Sequence, residues 1–243
     1  MAANREVKNN VSPSLHPAVI TSIPGYEQHK GYCGDAEAAF NAAYKSVEDV
    51  IATRKTVQLD ESRTPKAKAL AVANKAEQYM ARFQKTHGAC HDRLVAGINH
   101  IEKQLSEPLE QQAGAGIVNG EIRAHAKTLS RADRTKMISD AMQKGDVKVL
   151  GAILGAPAML SGLSDEEHTH YTRMYHEKTN PELVARLNVV NQVKQKLEQS
   201  ADLIKMEFTK AIGISPKDLQ SLRDGSKAAE DALIVREFTQ VEN

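Results

Sequence analysis

Apolar residues recur with a helical period along nearly the whole chain. After Asn180-Pro181 they fall at Leu183, Leu187, Val190, Leu197, Ala201, Ile204, Phe208 and Ala211, in steps that alternate four and three. One slot of this seam, Lys194, is a charge. A heptad seam exists to lie along another helix, so the spacing predicts a helix over 181–212 that stops at Gly213. A buried unpaired charge is costly. The Lys194 ammonium is therefore expected in solvent or on a carboxylate, with Val193 covering the gap.

A second long stripe starts at Thr64-Pro65, a cap followed by Pro in the first turn. Leu70, Ala73, Met80, Phe83, Cys90, Leu94, Ile98, Ile101 and Leu105 continue it until Pro108. This predicts a helix over 65–107, packed antiparallel to the first. Asp35 is placed to cap a helix that carries Phe40, Ala43, Val47 and Ile51 and ends near Val57. Gly114, Gly116 and Gly120 mark a break and a sub-boundary near 113–120. Beyond it a short helix is expected at Ile122–Leu129. The next is opened by Ser130 and closed by Gly145, and another is capped by Asp146 over Val147–Leu154. Ser164 with Glu167 forms a capping box for a helix ending near Lys178. Ser215-Pro216 opens the last helix, through Leu219, Leu222, Ala229, Leu233 and Val235, with Gly225 as a break point. No alternating run is long enough for a strand. The fold class predicted is all-α: an elongated helical bundle with two long helices and several short ones.

Residues 1–34 read differently from the body at 35–243. Pro13, Pro17 and Pro24 interrupt a helix, and Gly25, Gly31 and Gly34 add turns. Yet Leu15, Val19, Ile20, Ile23, Tyr26 and Tyr32 make the segment too apolar for a disordered tail. An extended N-terminal arm is expected, docked on its own body or on a neighbour. Leu15, Val19, Ile20, Ile23 and Tyr26, with Leu187, Val190, Leu197, Ile204 and Phe208 of the seam, are the candidate interaction residues.

Composition sharpens this picture. Aromatics are only 4% of the 243 residues, with no Trp, so the core must rest on Ala, Leu, Ile, Val and Met between helices. The 32 basic and 31 acidic residues balance, and the chain as a whole lacks the charge footprint of a nucleic-acid binder. Local basic stretches, Lys66, Lys68 and Lys75, and Arg123, Lys127, Arg131, Arg134 and Lys136, read as solvated helix faces; contact with DNA gains no further support. Cys33 and Cys90 lie far apart and suggest no disulfide framework. The N-terminus lacks the apolar core of a signal peptide, and no run reaches the roughly 18 to 20 apolar residues of a membrane span. Synthesis as a soluble cytoplasmic protein is expected.

Chemistry-bearing clusters are sparse. His87, Cys90 and His91 form the sequence HGACH, and residues four apart share a helix face, so two imidazoles and a thiolate would meet one metal. The metalloprotease pattern needs Glu after the first His; here Gly88 takes that place, and His87 and Cys90 fall on the apolar stripe. Packing is the preferred reading, and no cofactor is expected. His168, His170 and His176 accompany Glu166, Glu167 and Glu177; His168 and His170 point to different faces, and Glu166–His170 and Thr172–His176 are ordinary pairs one turn apart. Gly151 and Gly155 give a small-x-x-x-small spacing suited to a tight helix contact inside the protein or between subunits. Nucleophile elbows, phosphate loops and paired C-x-x-C motifs are missing from the sequence.

The segment LGAILGAPAMLSGLSDEE, Leu150 to Glu167, resembles stretches of uncharacterised proteins encoded in the structural modules of tailed bacteriophages and prophages. It carries over no catalytic or binding residues. The resemblance implies a virion-associated or assembly protein, a non-enzymatic component present in many copies and partnered by itself and by other virion proteins. A helical adaptor for one cytoplasmic partner is the alternative, and a metal-dependent enzyme using His87 and His91 a third.

Overall fold

The computed structural model describes residues 10–114 and 116–233. Among these residues the chain is all-α, with no strand. The helices are α1 (Ala18–Thr21), α2 (Tyr26–His29), α3 (Ala36–Gln58), α4 (Pro65–Gly114), α5 (Ile117–Thr128), α6 (Arg131–Lys144), α7 (Val147–Leu154), α8 (Ala158–Ser161), α9 (Asp165–Thr179), α10 (Pro181–Ile212) and α11 (Pro216–Leu233). Val235 and residues 1–9 lie outside the described part. No helix among the described residues is long and apolar enough to cross a membrane.

Among the described residues, five helix starts carry the side-chain caps that their local chemistry suggests. Ser130 Oγ accepts from the Asp133 N–H, Asp146 accepts from Val149, and Ser164 and Glu167 close a reciprocal capping box. Thr64 Oγ1 accepts from Ala67, and Ser215 Oγ from Asp218. Gly145 ends α6 at φ +67°, a conformation that only glycine adopts without strain.

Several expectations need correction. First, α4 does not stop before Pro108 but runs to Gly114. Pro108 forfeits one backbone bond. Its ring and Gln104, whose carbonyl loses that donor, are both solvent-exposed, while Leu105, Leu109 and Ala113 are buried and hold the helix in place. Second, α5 begins five residues earlier than Ile122 and includes Gly120. Its first turns are pinned by side chains that satisfy the end of α4: Asn119 Nδ2 donates to Gln112 O, and Arg123 donates to Ala113 O at 3.1 Å. Gly225, likewise, lies within a continuous α11.

Third, the described part of the N-terminal arm, residues 10–34, is not extended. Pro13 opens a 3-10 turn to Leu15, Pro17 precedes α1, and Pro24 precedes Gly25, whose φ of +81° leads into α2. A further 3-10 turn spans Lys30–Tyr32. The prolines start turns here rather than forbid them, because a first-turn residue has no intrahelical N–H bond to lose.

The chain divides into two units. One takes the described residues up to Ile23, Asp35–Asp92 and Val193 onward; the other takes Pro24–Gly34 and Arg93–Gln192. Each has its own core. In the first, Leu15 and Val11 join Val47 and Val50 of α3, Val72 and Phe83 of α4, and Ile204 and Phe208 of α10. In the second, Leu109 of α4 meets Ala126, Ile138, Leu150, Ile153 and Ala158 of α5 to α8 and Leu163 of the loop that follows.

Candidate functional site

The heptad seam is the candidate surface that the sequence marks most clearly, and its slots meet different fates. In the first unit α4 and α10 run antiparallel: His87 lies beside Leu197, whereas Ala69 and Val72 lie beside Ile212. Leu197, Ile204 and Phe208 are almost fully buried there, at 2% exposure or less. Lys194 reaches Glu198 Oε1 at 3.1 Å, and Val193 is buried beside it. In the second unit Val190 is fully buried, whereas Leu187 is half-buried and lines a groove with Leu105.

The arm residues are used within the chain. Leu15 and Ile20 are fully buried in the first unit, and Ile23 nearly so. Val19 is half-buried, and Tyr32 is half-exposed. Tyr26 is buried in the second unit. The Ser12 N–H donates to Glu207 Oε2 at 3.1 Å.

In the HGACH segment, His87 Nε2–H donates to Leu197 O at 2.9 Å and His91 Nε2–H to Glu198 Oε1 at 3.1 Å, while Cys90 is fully buried. The hydrogen bonds from His91 and Lys194 hold the Glu198 carboxyl below its ordinary range. The segment thus tethers α4 to α10. Among the described residues, no group of three or more His, Cys, Asp or Glu side chains is arranged to hold a metal.

Gly151 and Gly155 make a tight contact inside the second unit. A Cβ on Gly155 would overlap the Leu109 carbonyl of α4, and one on Gly151 would come within 2.7 Å of Gln112 Cβ. The small residues let α7 lie against the end of α4.

The basic stretch around α5 and α6 is largely spent on structure. Arg134 donates to Ala126 O and Leu129 O, Arg123 to Ala113 O and Ala152 O, and Arg131 pairs with Glu167 at 2.6 Å. In α9, His168 Nε2–H donates to Leu154 O at 2.9 Å, and His170 is exposed. The Thr172–His176 pair does not form a bond: Thr172 Oγ1 and His176 Nδ1 are buried without partners. Burial pushes the His176 imidazole below its usual pKa.

Two buried charges escaped the sequence reading. Arg54 donates to Lys210 O at 3.2 Å and to Ala211 O, capping the end of α10, and Glu207 holds Ser12. Each carries a signal in hindsight. Arg54 follows Val47, Val50 and Ile51 in the stripe of α3, and Glu207 stands one turn after Ile204 and next to Phe208.

Large apolar side chains also remain in water. In the second unit, adjacent residues Ile117 and Val118 open α5 at 85% and 47% exposure, and Met159 and Leu160 stand at 71% and 43% on α8, which packs on α5. No protein-family model matches the chain, and neither a curated protein nor a solved structure is found to be similar to it.

Proposed function

We propose that this protein is a non-enzymatic structural component, present in many copies in a bacteriophage particle or its assembly intermediates, and that it acts by helix packing. The observation that carries this reading is the exposed apolar pair Met159 and Leu160. It stands on a short helix held between Pro157 and Gly162, within the segment that resembles phage structural-module proteins. A short turn that presents two adjacent apolar side chains to water supports coverage by a neighbouring molecule. The arm, expected to make such contacts, spends Leu15, Ile20 and Tyr26 within its own chain, so intersubunit contact shifts in this reading to α8 and the start of α5.

The test is mass in solution. A ring or other large oligomer of defined size is expected, and the double variant Met159→Glu, Leu160→Glu should reduce it to smaller species with unchanged helicity. A full-length protein that stays monomeric but captures one partner protein through α8 would favour the adaptor reading. A monomer that binds nothing through α8 would sink both.

A further inference from the structure

The second unit carries a groove of about 440 Å³ between three helices. Leu105 of α4 and Val184 and Leu187 of α10 give it apolar walls, and α9 contributes Thr172 and His176. The groove's exposed area is mostly apolar although Ser106, Thr169 and Asn188 also line it, and a pocket of this size suits a small organic molecule.

The polar groups are the unusual part. His176 is 93% buried by its 7% exposure, yet Nδ1 has no hydrogen-bond partner, and neither has Thr172 Oγ1. The two residues are one turn apart on α9, so they share a face. A buried polar group normally finds a partner, and leaving one unmade is costly. Both side chains can turn toward a ligand: the hydroxyl by rotation about χ1, the imidazole by a half-turn about its broad, two-fold χ2.

The surroundings select against a charged partner. Arg173 and Glu102, one of each sign, line the same groove, and Arg173 is already paired with Glu177 at 2.8 Å. His168 has its Nε2–H on Leu154 O. A neutral imidazole and a hydroxyl each donate or accept, and together they match a group that does both. We infer that the groove between α4, α9 and α10 binds a small, largely apolar molecule with one uncharged hydrogen-bonding head, such as a carboxamide, which completes His176 and Thr172.

The experiment is a nuclear magnetic resonance titration of the full chain, with labelled histidine and threonine, against benzamide, benzoate and toluene. Benzamide is expected to shift the His176 and Thr172 signals saturably. Benzoate and toluene should bind about tenfold more weakly or less, because one lost or mismatched polar contact is worth roughly that factor. Thr172→Val should weaken benzamide about fivefold while leaving toluene unchanged. Because it removes an unpaired buried hydroxyl, this variant should fold at least as stably as the parent. Absence of saturable shifts with every probe would overturn the inference. So would toluene binding as tightly as benzamide, or benzamide binding undiminished in Thr172→Val.

Discussion

The Ser12 backbone N–H donates to Glu207 Oε2 at 3.1 Å, joining positions 195 residues apart. Glu207 is buried to 2% exposure, and its other oxygen lies 3.7 Å from Lys210 Nζ. Glu207→Ala would strip the Ser12 amide of its acceptor. It is expected to cost about 1 to 3 kcal/mol and to speed hydrogen exchange at Ser12 and Leu15. Glu207→Gln keeps a carbonyl acceptor and should recover part of that loss. Denaturant unfolding of both variants checks the order. Equal stability of parent and Glu207→Ala would show that the bond holds nothing.

The small residues of α7 should differ in tolerance. A Cβ at Gly155 would overlap the Leu109 backbone carbonyl outright, whereas at Gly151 the clash, with Gln112 Oε1 and Cβ, is less severe. Gly155→Ala is expected to destabilise by about 3 kcal/mol, the upper end of ordinary overpacking, and Gly151→Ala by roughly half that. Calorimetric melting of the two variants tests the ranking, and a Gly155→Ala protein as stable as the parent would refute the contact.

Leu187 and Leu197 are both seam residues, but only Leu197 is fully buried. Leu197→Ala should lose about 2 to 5 kcal/mol and Leu187→Ala clearly less, since the groove already leaves its side chain part-solvated. If both lose the same amount in denaturant unfolding, Leu187 is packed as a core residue.

Stability should also depend on pH through His176. Burial lowers its folded pKa beneath the unfolded value of about 6.5. As pH falls through about 6.5, the unfolded chain binds the proton first, and folding is penalised increasingly until the folded imidazole also protonates. Above about 6.5 both forms are neutral and this contribution is constant. The parent's melting temperature should therefore fall more steeply than that of His176→Phe just below pH 6.5, and parallel curves would exclude the effect.

Much of the local architecture was legible because it is set by neighbours in sequence. Ser130, Asp146, Ser164 with Glu167, and Gly145 cap helices through bonds that span only a few residues. The Lys194 pairing followed from a charge in an apolar seam. What was not legible depends on distant partners. Pro108 looks like a terminator until Leu109 and Ala113 are seen buried on the other side. The arm looks extended until Leu15 finds Phe208 and Val47 in one core. The groove draws Leu105, Thr172 and Leu187 from three separate helices, and no local spacing announces it.

The order of segments in the two cores has a consequence for synthesis. Every residue of the second core has been translated once the ribosome passes Gln192. The first core cannot close then, because Ile204 and Phe208 are still to come. At about 5 to 20 residues per second, Val47 waits roughly ten to thirty seconds for Phe208. During that interval the apolar face of α3 lacks its α10 partners and is only partly covered by the arm and α4 on a nascent chain. Chaperone capture should therefore concentrate on residues 35–92, and arrested chains ending at Gln192 should be cut by protease there while α6 to α9 resist.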